Sequence, residues 1–308
     1  MSSSVPNRGI FAALWLPTDS RGELMQAELA RNLAFLKRTG IHGVLALGST
    51  GEFPHLSVEQ RKRAISTIAE LAAPLPVIAN VSDIRPSAVA ELGRHARKVG
   101  LPAIAIMPPG FYPSNQEDIL AHALHAADSS QLPTFLYNFP ELTNTRIDLS
   151  TVAAFAERAP MAGIKQSGCE FAYHKDLIAL GREKNFVVFS GADVRLPEVF
   201  GLGAVGCIGG IVNIAPELMV HIYNVCREGR PGDVIPAFER LKQIGAIIDR
   251  LTFPLNVAAG MEARGFAVGA PKAVVSEHSK QIYAGIVAEL RPLLAQWDLP
   301  AGSLDPAA

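Results

Sequence analysis

Eight short apolar runs recur along the chain, and a stretch of different periodicity separates each from the next. They are Ile10–Leu14, Val44–Leu47, Val77–Asn80, Ala103–Met107, Thr134–Tyr137, Gly163–Gln166, Phe186–Ser190 and Val205–Gly209. Between them lie amphipathic helical patterns such as Leu24–Arg38, Val58–Leu71, Ala88–Lys98 and Gln116–Ala127. A strand that is apolar throughout, rather than on alternate residues, is covered on both faces, as in a parallel sheet wrapped by helices. Eight such strands alternating with helices point to closure into a barrel rather than an open sheet. Two helices carry start signals of the capping-box type, Ser57 with Gln60 and Ser114 with Glu117.

From Gly229 the rhythm changes. Asp233–Leu251, Leu255–Ala263 and Ser276–Leu294 read as helices with no further strand, and Gly229, Pro231 and Gly232 punctuate the boundary. The expected fold is α/β: a (β/α)8 TIM barrel over residues 1–228 that carries the chemistry, then a C-terminal helical extension over 229–308.

With 49% hydrophobic and 19% charged residues the chain has ample material for a large core. A net charge of −1 gives no electrostatic reason to bind nucleic acid or an acidic membrane. Every apolar run is interrupted before the ~18 residues of a membrane span, and Met1–Arg8 lacks a signal-peptide pattern. Cys169, Cys207 and Cys226 show no CxxC spacing and are expected to be buried free thiols, so a reducing cytoplasm is the expected location.

In a barrel the chemistry sits at the carboxyl ends of the strands. Four features fall there: Gly48-Ser49-Thr50-Gly51-Glu52, Tyr137-Asn138-Phe139-Pro140, Gly163-Ile164-Lys165 and Ser190-Gly191-Ala192-Asp193. Lys165 stands out because it lies inside an apolar strand, where an unpaired ammonium is costly. A neutral amine there could attack a ketone and form an imine; the alternative is a buried lysine paired with a carboxylate. Lys272, between Pro271 and Ala273, is a weaker rival because its segment begins a loop or helix. Tyr137 could shuttle protons or simply be a core residue with a satisfied hydroxyl. Gly48–Glu52 could present backbone N–H groups to a carboxylate or merely form a tight turn.

No cofactor or metal is expected. Gly201-Leu202-Gly203-Ala204-Val205-Gly206 matches a dinucleotide fingerprint, but a helical pattern precedes it and a strand follows, the reverse of what the fingerprint needs. The eight histidines are dispersed, with no HExxH.

As a set, GSTGE, YNFP, GIK, SGAD and GAVGCIGG resemble the dihydrodipicolinate synthase / N-acetylneuraminate lyase family of pyruvate-dependent class I aldolases, from about Gly9 to the C-terminal helices. The resemblance implies Lys165 as the Schiff-base lysine and Tyr137 as the proton-transfer tyrosine. It implies Ser49 and Thr50 as the carboxylate holders, Gly191 beside the pyruvyl group and Asp193 toward the distal part of the substrate. It also implies a homo-oligomer, a tetramer or dimer, and a small 2-oxo acid as the partner. Synthases of the lysine pathway carry an arginine where this chain has Leu142, and a relay tyrosine where it has Phe111 followed by Tyr112. Sialic-acid lyases carry a carboxylate where it has Val194. GSTGEFPHLS is similar instead to members that cleave 4-hydroxy-2-oxo acids. The expected activity is a Schiff-base lyase acting on pyruvate or a 4-hydroxy-2-oxo acid. Dihydrodipicolinate synthase and a non-catalytic 2-oxo acid binding protein are the alternatives.

Overall fold

Strands form at each of the eight apolar runs. They are β1 (Gly9–Ala13), β2 (Gly43–Ala46), β3 (Val77–Asn80), β4 (Ala103–Ile106), β5 (Thr134–Asn138), β6 (Met161–Gln166), β7 (Val187–Ser190) and β8 (Gly206–Gly209). In the computed structural model, which describes residues 4–168 and 170–299, they pair in parallel and in chain order, with β8 closing on β1. Cys169 lies outside the described residues; Cys207 is buried and Cys226 half-buried, both as free thiols.

The outer helices are α1 (Gln26–Arg38), α2 (Val58–Ala72), α3 (Pro86–Lys98), α4 (Gln116–Ser130), α5 (Pro140–Thr143) and α6 (Leu149–Arg158). After these come α7 (Phe171–Lys184), α8 (Leu196–Leu202) and α9 (Pro216–Arg227). Ser57 and Gln60 form the expected capping box at α2. At α4 the cap is not Ser114 but Asn115, whose side chain accepts the Asp118 N–H at 2.9 Å. Asparagine caps at least as well as serine, and here it is the residue in the extended conformation a cap requires. The Gly201–Gly206 motif runs from the end of α8 into β8, so it lacks the strand-then-helix context of a dinucleotide turn.

Strand parity divides the core in two. Phe11, Ala13, Leu45, Ile78, Ala105, Phe135, Tyr137, Phe189 and Ile208 fill the barrel interior. Their alternates, such as Ile10, Val44, Val77, Ile104, Leu136 and Ile164, pack outward against the helices. This is the period of two that a strand imposes on its side chains. The register pairs Phe135 with Gly163 and Tyr137 with Lys165, so Lys165 shares the inward face at the top of β6. Gly163 lies one layer below, where a Cβ would come within 2.8 Å of the Phe135 ring.

Three further helices follow: α10 (Ile235–Ile248), α11 (Leu255–Ala263) and α12 (Glu277–Gln296). α10 packs against the turn Asp193–Arg195 after β7, and α11 against the turn Ile211–Asn213 after β8. They therefore brace loops at the carboxyl face of the barrel. Among the described residues no helix is long and apolar enough to cross a membrane.

Candidate active site

Lys165 is 6% exposed and lies beneath the mouth of the barrel. Its Nζ donates to the Tyr137 hydroxyl at 2.9 Å and stands 4.1 Å from the centroid of that ring. The same hydroxyl is 3.2 Å from Ser49 Oγ. An amine, a phenol and an alcohol from β6, β5 and the loop after β2 thus form one hydrogen-bonded chain. Neighbouring strands supply the first two in register, so backbone pairing itself fixes their approach.

The polar residues that interrupt the apolar strands hold this end of the barrel. Asn138 Nδ2 donates to Gln166 Oε1 at 2.6 Å, and its Oδ1 accepts the Ile147 N–H at 3.0 Å, joining the ends of β5 and β6. Asn80 Nδ2 donates to the Leu47 carbonyl at 2.7 Å, Ser82 Oγ donates to Asn80 Oδ1 at 2.5 Å, and Ser82 Oγ accepts the Met107 N–H at 2.8 Å. Buried amides with both ends satisfied fix one arrangement of the loops, whereas an unmatched one costs about 1–3 kcal/mol.

Ser49 and Thr50 begin a tight turn in which Gly51 N–H donates to the Gly48 carbonyl and Glu52 N–H to that of Ser49, each at 3.0 Å. Both residues are buried, and Thr50 lies against Gly210 beyond β8. Gly191 follows β7, and its N–H donates to the Gln166 carbonyl at 2.7 Å. A Cβ there would collide with Ser167 Oγ and come 3.3 Å from Lys165 Cε, so glycine lets this backbone wall the amine. Ser49, Thr50, Tyr137, Lys165 and Gly191 therefore converge on one end of the barrel.

Asp193, expected to face the distal part of the substrate, is engaged by the protein itself. Rather than reaching over the mouth, its Oδ2 accepts the Ile211 N–H at 2.9 Å and its Oδ1 the Cys207 thiol at 3.4 Å. Gly209 and Gly210 carry no side chains, which lets the tight turn Asp193–Arg195 lay the carboxylate against the end of β8. Burial pushes its carboxyl above the ordinary range, while those donors and Lys165 oppose the shift.

A cavity of about 580 Å³ opens beside Ser49, with Arg61, Met107, Phe111, Leu142 and Phe253 in its wall. It adjoins the lysine through Ser49 rather than containing it. Arg61 was not singled out from the sequence, since an arginine in a helix usually faces water. Here the buried face of α2 carries it, 3.2 Å from Asp83 Oδ2, and burial pulls its guanidinium down to about 10. Phe111 and Tyr112 meet edge to face at 4.8 Å and project from the surface, 85% and 69% exposed. Arg146 turns away from Leu142 toward Asp148 and Glu170, at 3.6 and 3.5 Å.

Lys272, the rival lysine, is already committed. Its Nζ donates to Glu52 Oε2 at 2.7 Å and to the Leu16 carbonyl at 2.9 Å. Burial pulls its amine below the ordinary lysine range, with Glu52 opposing. Among the described residues no group of three or more His, Cys, Asp or Glu side chains could hold a metal.

This constellation on a closed barrel can be set beside known proteins. The sequence profile of the dihydrodipicolinate synthetase family matches residues 6–291. The chain belongs to that family. It is a lyase of the dihydrodipicolinate synthetase type, with the family's barrel and C-terminal helices. A 4-hydroxy-tetrahydrodipicolinate synthase from Methanothrix thermoacetophila is 30% identical over 262 residues, covering 85% of this chain and 88% of that protein. The family member YagE, a prophage protein of E. coli K12 solved in complex with pyruvate, superposes with a TM-score of 0.85 at 25% identity, over 95% of this chain and 99% of its own. CdNal from Clostridium difficile, solved with mannosamine, shares the fold with a TM-score of 0.86 at 19% identity, over 93% and 98% of the two chains.

Proposed function

We propose that this family member forms a Schiff base on Lys165 and either cleaves a 4-hydroxy-2-oxo acid between C3 and C4 or condenses pyruvate with an aldehyde to make that bond. The observation that carries the reading is the Tyr137 hydroxyl shared between Lys165 Nζ at 2.9 Å and Ser49 Oγ at 3.2 Å. Lys165 Nζ attacks the ketone carbon, and Tyr137 passes a proton to the departing oxygen, which leaves as water. In cleavage the C3–C4 electrons flow into the protonated imine, the C4 hydroxyl proton goes to Tyr137, and an aldehyde departs. The resulting enamine takes up that proton at C3 from Tyr137, and water then hydrolyses the imine, releasing pyruvate and the free amine and returning a proton to Tyr137. Ser49 and Thr50 hold the carboxylate of the oxo acid, and Gly191 leaves room beside the imine. Asp193 acts as a carboxyl held against the end of β8, close enough to Lys165 to feel its charge, rather than as a contact to the distal substrate. The chemistry belongs to the barrel of residues 1–228 and the helices of the 229–308 extension that are described brace it, in a cytoplasmic homo-oligomer whose interface takes up Phe111 and Tyr112.

The synthase reaction of pyruvate with aspartate semialdehyde is the second reading, favoured by the name of the Methanothrix relative. Leu142 weighs against it, since it offers no charge to a second carboxylate. A panel of 4-hydroxy-2-oxo acids assayed for pyruvate release tests the proposal. Release from at least one, with borohydride trapping on Lys165, is the expected result. Binding of pyruvate with no turnover of any compound would leave a non-catalytic 2-oxo acid binder.

A further inference from the structure

The loop that carries Ser49 and Thr50 is bounded by two residues in a backbone region that side chains disfavour. Leu47 has φ +57° and Glu52 φ +55°. Non-glycine residues rarely adopt this left-handed conformation, and it persists only where the surroundings over-determine it. At the Leu47 end the hold is the Asn80 amide on the Leu47 carbonyl. At the Glu52 end it comes from a residue 220 positions away, Lys272, in the segment joining α11 to α12.

That segment is clipped to the exit of β1 at several points. Trp15 Nε1 donates to the Val268 carbonyl at 2.9 Å, and Ala270 N–H to the Thr18 carbonyl at 2.7 Å. Lys272 Nζ then reaches the Leu16 carbonyl and the Glu52 carboxylate, 5.0 Å from the centroid of the Trp15 ring. The Lys272 and Glu52 side chains are only 4% and 11% exposed. A buried pair of opposite charges is weak evidence of stability for its own sake, because desolvation offsets the attraction. It does fix geometry, since removing either partner strands the other. What it fixes here is the last residue of the turn, whose N–H closes on the Ser49 carbonyl.

We propose that Lys272 and Glu52 are positioning residues for the carboxylate-binding loop: their pair holds Ser49 and Thr50 in place and so sets the preference for a 2-oxo acid over an uncharged ketone. The proposal rests on the reading of Lys165 as the Schiff-base residue. It gives the C-terminal segment a part in substrate choice from outside the site.

The test compares pyruvate with hydroxyacetone, which carries a hydroxymethyl group in place of the carboxylate. Each is trapped on the protein with borohydride over a range of concentrations, and half-saturation is read by intact-mass spectrometry. In Lys272→Met the half-saturating pyruvate concentration should rise ~10–100-fold, the worth of a charge-assisted contact, while that of hydroxyacetone moves by less than ~3-fold. Lys272→Arg, which can still reach Glu52 with a cation, should restore most of the preference. Equal weakening toward both ketones would mean a general structural role and overturn the proposal, as would an unchanged pyruvate value. If Lys272→Met does not fold, Glu52→Gln keeps the shape but removes the charge, and an unaltered preference there overturns it too. Wild-type protein that gives no adduct on Lys165 would sink the Schiff-base reading as well, and that failure is recognised before any variant is made.

Discussion

Tyr137 and Lys165 face each other across the β5–β6 pair, in register, with the phenol oxygen 2.9 Å from the amine nitrogen. In the proposed mechanism this phenol moves protons to and from the atoms bonded to that amine. Tyr137→Phe should therefore lower kcat by ~10²–10⁴ while pyruvate still binds. The substitution removes one oxygen and leaves the ring in the barrel core. Steady-state kinetics beside pyruvate trapping checks this, and an unchanged kcat would return Tyr137 to a packing role.

Lys165→Ala addresses the covalent step. Incubation with pyruvate and borohydride should leave one reduced adduct per chain on Lys165, and none in the variant. Fold should survive, because removing a buried amine removes a desolvated polar group together with its need for a partner. Circular dichroism and peptide mapping decide it. An adduct mapped to Lys272 would transfer the mechanism to a residue that already bonds Glu52 and the Leu16 carbonyl.

Much of the architecture was legible because both faces of each strand are buried, which leaves unbroken apolar runs. Lys165 was conspicuous for the same reason, as a charge inside such a run. Asn80, Asn138 and Gln166 were equally visible as polar interruptions, but their partners lie on neighbouring strands and only closure brings them together. The partners of Asp193 were not legible. Whether its carboxylate points up or down depends on the turn after β7 and on the empty space at Gly209 and Gly210. Arg61 looked like a solvated helical arginine, since the amphipathic pattern does not say that α2 turns it toward the mouth. The Glu52–Lys272 pair, 220 residues apart, leaves no local trace at all.

Acid should destabilise the fold through its buried and half-buried histidines. Burial, aided by His125, pulls His122 on α4 down to about 4, and its Nε2 has no hydrogen-bond partner among the described residues. Burial also lowers His174, His95 and His42. A histidine whose folded value lies below the unfolded one takes up its proton more readily when unfolded. Its contribution is therefore whole above about pH 6.5 and lost as the pH falls toward 4. For His122 the full loss is worth roughly 3 kcal/mol. Asp193, raised by burial, works the other way, gaining stability as it protonates. Urea midpoints should accordingly fall between pH 7 and pH 5, and His122→Leu should flatten that fall. An equally steep fall in the variant would remove His122 from the account.

Leu142 lines the cavity beside the site and is half exposed. A second carboxylate brought there needs a cationic or multi-donor partner, and bidentate arginine suits it best. Arg146 does not provide it, being turned toward Asp148 and Glu170 on the surface. Arg61 does border the cavity, but it is buried and already paired with Asp83. A carboxylate that gives up part of its water to an apolar neighbour gains no partner in return, so aspartate semialdehyde should be a poor co-substrate of pyruvate. Leu142→Arg should improve its use, because the side chain there has room to extend into the cavity. Steady-state kinetics with pyruvate and aspartate semialdehyde measures both. A wild-type kcat/KM at or above ~10⁴ M⁻¹s⁻¹, within the usual range for a natural substrate, would show that the second carboxylate finds its partner elsewhere and would put the synthase reaction first.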